Sequence, residues 1–205
     1  MKNLKLNVLV ALFFCLIGFA QNKATETAKI KQIAEQMFQD VATKNYDALI
    51  DKMHPKVFTI VPKESLKTVF KSTFEGNGAI SIDVPKEIPN FNISDIYNVS
   101  DTLDYAFISY DMKMKMTFND QEFDDESKEL MKNMMSAKGM EVNFISNNTI
   151  NVSANNSMTI ALKDEDTNNK WTVLNYDASS PLVYEILPTE LLEKAKQYKQ
   201  NLMLE

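Results

Sequence analysis

The chain has 205 residues and a formal net charge of −6, with 28 acidic residues against 22 basic ones, every one of them lysine. Without arginine's planar fork for phosphate, and with no basic patch, neither nucleotide nor nucleic-acid recognition is expected. One histidine and one cysteine leave no His-rich or Cys-rich cluster to ligate a metal, so no metal and no cofactor are expected.

In chain order, Met1-Lys-Asn-Leu-Lys carries two positive charges, Leu6 to Phe19 is almost unbroken apolar sequence, and Gly18-Phe19-Ala20 supplies small residues. That order is the pattern of a secretory signal peptide over residues 1–20, with cleavage between Ala20 and Gln21. The apolar run of about 14 residues is short of the roughly 20 that cross a bilayer. Cys15 follows Phe13-Phe14 rather than the small residue a lipoprotein cysteine needs. The exported chain is therefore expected to lack a stable membrane anchor, and also to lack any thiol or disulfide.

Residues 24–44 place Ile30, Ile33, Ala34, Met37, Phe38 and Val41 at helical spacing, with Thr25 or Thr27 as the capping residue. A second short helix covers 45–53 and ends at Pro55. Val57 to Val61 reads as a brief strand, and Lys63 to Phe74 as a third helix with Leu66, Val69, Phe70 and Phe74 inward. The period then changes to two. One strand is expected over 91–99 and a long one over 103–118, where Met112, Met114, Met116 and Phe118 share a face. A helix returns at 122–138, started by Asp124 and Asp125 and ended by Gly139. Strand signals follow at 142–145, 149–152 and 157–163, and a polar turn at 164–169 makes a hairpin with 170–176. Pro188-Thr189-Glu190 opens a last helix to about 201. The pattern predicts one α+β domain over 21–205, with N-terminal helices packed in a curved antiparallel sheet.

This order of elements resembles the nuclear transport factor 2-like (SnoaL-like) superfamily. The similarity rests on Asn45-Tyr46-Asp47-Ala48-Leu49, on Met53-His54-Pro55-Lys56-Val57 and on Lys170-Trp171-Thr172-Val173-Leu174, and it covers about residues 24–177. It implies a cone-like sheet wrapped around helices, with a pocket at one end. Lys56 departs from the acid common at that position. The helix at 122–138 and the C-terminal helix at 188–201 are additions to the family's pattern. With the signal pattern of residues 1–20, the expected location is the periplasm or the exterior of a Gram-negative bacterium. Family members include hydrolases, isomerases and non-enzymatic binding modules, so the fold leaves the function open.

His54, the only histidine, is a candidate general base, with the alternative that it merely closes the second helix. In family enzymes an Asp or His works with a Tyr, which makes Tyr97, Tyr105, Tyr110, Asp111 and Asp177 the other candidates. Asp111 lies on the lysine side of its strand, where a solvated carboxylate is the plainer reading. Met131, Met134 and Met135 make the helix at 122–138 a candidate lid. Its stripe Leu130/Met134/Ala137 is expected to lie on the sheet. Trp171 is the remaining candidate for a pocket lining. Asp101-Thr102-Leu103 fits a short O-glycosylation acceptor pattern at Thr102, although turn chemistry alone also explains it. The leading expectation is a non-catalytic module binding a small apolar ligand, or pairing with a second copy through the sheet. A cofactor-free hydrolase or isomerase using His54 is the alternative, and a structural envelope protein a second one.

Overall fold

The computed structural model describes the backbone of residues 2–204 other than Asn77 and Asp101, and side chains from residue 23 onward. The expected cleavage pair Ala20–Gln21 lies outside those described side chains. The first helix, α1 (Lys2–Thr43), runs on through the positions expected to cap it. No proline or glycine interrupts 21–30, and Ala, Gln, Lys and Glu there favour helix. Thr27 accordingly does not cap; its hydroxyl donates back to the Lys23 carbonyl at 3.0 Å.

Helix α2 (Tyr46–Asp51) is shorter than the expected 45–53, and Asn45 stands before it as the cap, its side chain accepting from Ala48 N at 3.4 Å. The expected strand at 57–61 is instead a single helical turn, α3 (Val57–Ile60). The His54 and Pro55 carbonyls accept from Val57 N and Phe58 N, both at 3.0 Å, so the turn that Pro55 begins simply continues. Val57 is buried by it, and packing overrides the strand preference of its β-branched chain. Helix α4 (Lys63–Phe74) has the expected bounds. Leu66 and Phe70 face apolar layers, whereas Val69 points outward, 54% exposed.

The sheet has seven antiparallel strands. β1 (Ile80–Asp83), β2 (Phe91–Ile93) and β3 (Tyr97–Val99) all pair with the long β4 (Leu103–Phe118), while β5 (Met140–Phe144) and β7 (Thr172–Asn175) pair with β6 (Thr149–Lys163). The single strand expected over 91–99 is thus divided. Ser94 steps out of the ladder between β2 and β3, its amide donating to the Phe107 carbonyl and its hydroxyl accepting from the Phe107 amide, each at 2.9 Å. The two strands expected at 149–152 and 157–163 are one, because a bulge bridges them. Tyr110 pairs with Ser157 but Met112 pairs with Ala154, so β6 carries one extra residue there. Asn156 takes φ 57° at that step, and its amide donates to Asp111 Oδ1 at 2.9 Å.

That extra residue shifts the pairing parity by one and keeps the apolar residues of both strands on common faces. On one face, Ala106, Ile108 and Ala161 meet Ile30, Ala34 and Trp171, with Met37, Leu49 and Val173 alongside. Farther along the same side of β4, Met114, Met116 and Phe118 join Ile150 and Val152 under α5 (Asp125–Ser136). The opposite face packs Tyr105, Phe107, Met158, Ile160 and Leu162 against Val57 and against α6 (Pro181–Ile186) and α7 (Thr189–Leu202). α6 was not anticipated from the sequence. It is six residues long, with Pro181 at its first position. The central ladder is therefore covered on both sides.

Leu191 is fully buried in the α7 layer. Leu191→Ala is expected to cost about 2–5 kcal/mol in urea unfolding followed by circular dichroism. Val69→Ala should stay within about 0.5 kcal/mol.

Candidate functional site

His54 follows α2 and is buried. Residues 52–54 extend the sheet beyond β7: Val173 N donates to Lys52 O at 2.8 Å and His54 N donates to Val173 O at 3.1 Å. The amide of Lys56 donates to His54 Nδ1 at 3.3 Å. The ring proton is therefore on Nε2, which donates to Asp164 Oδ2 at 3.2 Å. With both nitrogens engaged, no lone pair is free to take a proton from a substrate. Asp164 Oδ1 accepts from Thr167 N at 2.9 Å, so the histidine fastens the 164–169 turn to the sheet edge. Lys56 pairs with Asp166 at 2.9 Å. This lysine holds the Asp166 carboxyl below its usual range.

The other acid/base candidates do not converge. Tyr105 is buried on the α7 face, and Tyr110 is half-buried on the α1 face, its hydroxyl 3.3 Å from Thr159 Oγ1. Burial raises both phenols above their ordinary pKa, with the charge of Glu190 adding to the effect at Tyr105 and the Thr159 bond opposing it at Tyr110. Tyr97 is 43% exposed and packs its ring against Tyr105 at 5.4 Å. Asp111 is exposed and serves the bulge. Asp177 is exposed and turns the chain toward α6, accepting from Ser179 Oγ at 2.7 Å and Ser179 N at 2.8 Å, which lower its pKa. No two of these residues and His54 share a hydrogen bond, and no cluster of three or more acids, histidines or cysteines suited to a metal occurs among the described residues.

The residues expected to line one pocket fall in two places. In α5, Met131 and Met135 face the sheet and pack with Met114, Met116, Met140, Val142 and Phe144. Leu130 and Met134, expected to lie on the sheet, instead point outward, 61% and 56% exposed. The helix offers two apolar stripes about one residue apart, and Phe123, buried just before α5, selects the Met131 stripe. No α5 side chain is fully buried. Asp124 caps the helix, accepting from Ser127 N at 2.8 Å, and Gly139 ends it at φ 74°.

Trp171 lies apart from α5, in a polar-lined cleft of about 490 Å³ between α1 and the β6–β7 hairpin. Its Nε1 donates to Glu26 Oε2 at 2.7 Å, and Lys163 reaches the same oxygen at 3.3 Å while Lys29 reaches Oε1 at 2.6 Å. The hydrogen bond from Lys29 holds Glu26 below the ordinary carboxylate range; burial opposes this, and Trp171 and Lys163 reinforce it. Burial alone would lower Lys163, but Asp104, at 2.9 Å, and then Glu26 outweigh it and raise its pKa. Nothing in the sequence flagged Glu26, whose partners lie 137 and 145 residues away.

Thr102 is exposed in the β3–β4 turn, beside a second cleft of about 540 Å³ that His54, Asp164 and Glu185 also line. Its neighbour Asp101 lies outside the described residues. No helix among the described residues is long and apolar enough to cross a membrane. In comparisons with known proteins, no family model matches the chain and no curated protein sequence matches it.

Asp164→Ala removes the acceptor of a buried His54 N–H and is expected to cost about 1–3 kcal/mol; Asp164→Asn, which keeps an oxygen acceptor, costs less in the same denaturant titration. Glu26 has a depressed folded pKa, so its stabilisation is present above the ordinary value of 4.5 and disappears as pH falls through the lower folded value. Glu26→Gln should lower the thermal midpoint at neutral pH, and melting curves across pH should show the gap closing below 4.5.

Proposed function

We propose that the protein is an exported, non-catalytic binding module of the nuclear transport factor 2-like type, which holds a small apolar ligand beneath α5. The observation that carries this reading is the seam under α5, where Met131 and Met135 meet Met114, Met116 and Met140. Methionine is flexible and polarizable, so a layer of it opens and repacks around apolar guests at low cost. The helix suits a lid: it is tied at both ends, lies mainly against β5, and buries no side chain completely. The engaged nitrogens of His54 argue against the hydrolase or isomerase alternative. Export is supported by the charged, apolar, small-residue order of residues 1–20. The outward pair Leu130 and Met134 supports a second contact, self-association on the outer side of the same helix.

The test is native mass spectrometry of the protein recovered from the envelope of its own host, beside two double variants checked for folding by circular dichroism. Wild type should carry a bound apolar mass. Met131→Lys/Met135→Lys should retain at least about tenfold less of it, consistent with loss of more than 1.4 kcal/mol. Leu130→Lys/Met134→Lys should keep the ligand and lose any dimer. A wild type with no bound mass, or equal retention in the Met131/Met135 variant, would refute the ligand reading.

A further inference from the structure

The Trp171 cleft is a different kind of cavity from the α5 seam, and its charges can be followed one by one. Lys29 and Lys163 answer Glu26, and Lys163 also answers Asp104. Lys52 answers Asp40 beneath the cleft, and Asp51 on its rim is answered by Lys63 at 3.1 Å. Among the described residues, Lys170 is the lysine of this cleft that has no acidic partner. It is exposed, yet its backbone is fixed. Asn168 and Asn169 take the left-handed conformation at φ 53° and 56°. Asn169 N donates to Asp164 O at 2.9 Å and Lys170 N to Thr167 O at 3.2 Å. The turn that His54 anchors thus presents Lys170 to this cleft, while its acids Asp164, Glu165 and Asp166 line the other one.

Facing it, α1 contributes Gln32 and Gln36, one helical turn apart, and the turn itself contributes Asn169. Each amide offers both donors and an acceptor, the pattern that matches sugar hydroxyls rather than a second charged group. Ile33 and Trp171 supply the apolar part of the lining. The volume of about 490 Å³ falls within the range of small-molecule sites, roughly 300–1,000 Å³. We infer that this cleft binds a small, hydroxyl-rich monoanion of the sugar-acid class, its carboxylate on Lys170 and its hydroxyls on Gln32, Gln36 and Asn169. The deep Glu26 carboxylate does not repel such a ligand, because two lysines and the indole N–H already satisfy it. The inference stands independently of any ligand under α5.

Trp171 is the only tryptophan in the chain, so its emission reports on this cleft alone. The experiment titrates the full chain with sodium glucuronate, with glucose, and with sodium chloride at matched ionic strength. Glucuronate should change the emission saturably, glucose should bind at least about tenfold more weakly, and Lys170→Gln should cost glucuronate about tenfold, the worth of one charge-assisted hydrogen bond. Lys170 is exposed and contributes to no apolar layer, so this variant keeps the fold. The inference fails if glucuronate gives no saturable change beyond the chloride control, if glucose matches it, or if Lys170→Gln leaves its affinity unchanged.

Discussion

Three of the four apolar layers among the described residues are built on the ladder that joins β4 to β6, and the fourth reaches it through Val173 of β7, which pairs with Ala161. Thirteen residue pairs run from Asp104–Lys163 to Thr117–Thr149, and the remaining strands attach to one or the other of these two. Because the ladder is long it must twist, and because it is covered by α1 on one side and by α6 and α7 on the other, both faces must be apolar over its first half. That is why Leu103 to Ser109 is buried almost without interruption while residues 111 to 116 alternate. The one extra residue in β6 reconciles the two halves. Without it, Ile150 and Val152 would turn away from the α5 side, and the methionine layer would lose its floor.

The charged groups follow the same frame. Glu26 on α1 bonds to Lys163 of β6 and to Trp171 beside β7, and through Lys163 it is linked to Asp104 on β4. One carboxylate thereby ties the first helix to the two central strands at the end where the hairpin turns. A lysine can join two carboxylates in this way without the planar geometry an arginine would impose, which suits a chain whose cations are all lysine. On the other side of the same hairpin, His54 and Asp164 pin the turn to the continuation of the sheet edge. The two attachments are the reason the 164–170 segment, with two residues in the left-handed region, holds a fixed shape.

What could be read in the sequence was whatever depends on neighbours along the chain. The bounds of β4 and α4, the start and end of α5 and the β6–β7 hairpin all follow from periodicity or local capping chemistry. The failures share a cause. Val57 to Val61 carries strand-forming side chains, but the turn begun at Pro55 and the burial of Val57 decide its conformation. In α5 the stripes through Leu130 and Met131 are both apolar at helical spacing, and a contact with Phe123 and the sheet chooses between them. The bulge at Asn156 is a matter of register between strands far apart in sequence. His54 stood out as the only histidine, but its role waited on a partner 110 residues away. Glu26 falls four and seven residues before Ile30 and Ile33 of the inner stripe, but its partners lie 137 and 145 residues away.

The two halves of the molecule also differ in chemical durability. Around the upper ladder the buried side chains are largely Ile, Leu, Val, Ala and Phe, which oxidants leave alone. Under α5 the layer is built on thioethers, none of them fully buried, and oxidation to the sulfoxide would replace a pliable apolar side chain with a polar one. Oxidative damage would therefore reach the adhesion of one helix first, loosening α5 while leaving the rest of the sheet and its two covering layers in place.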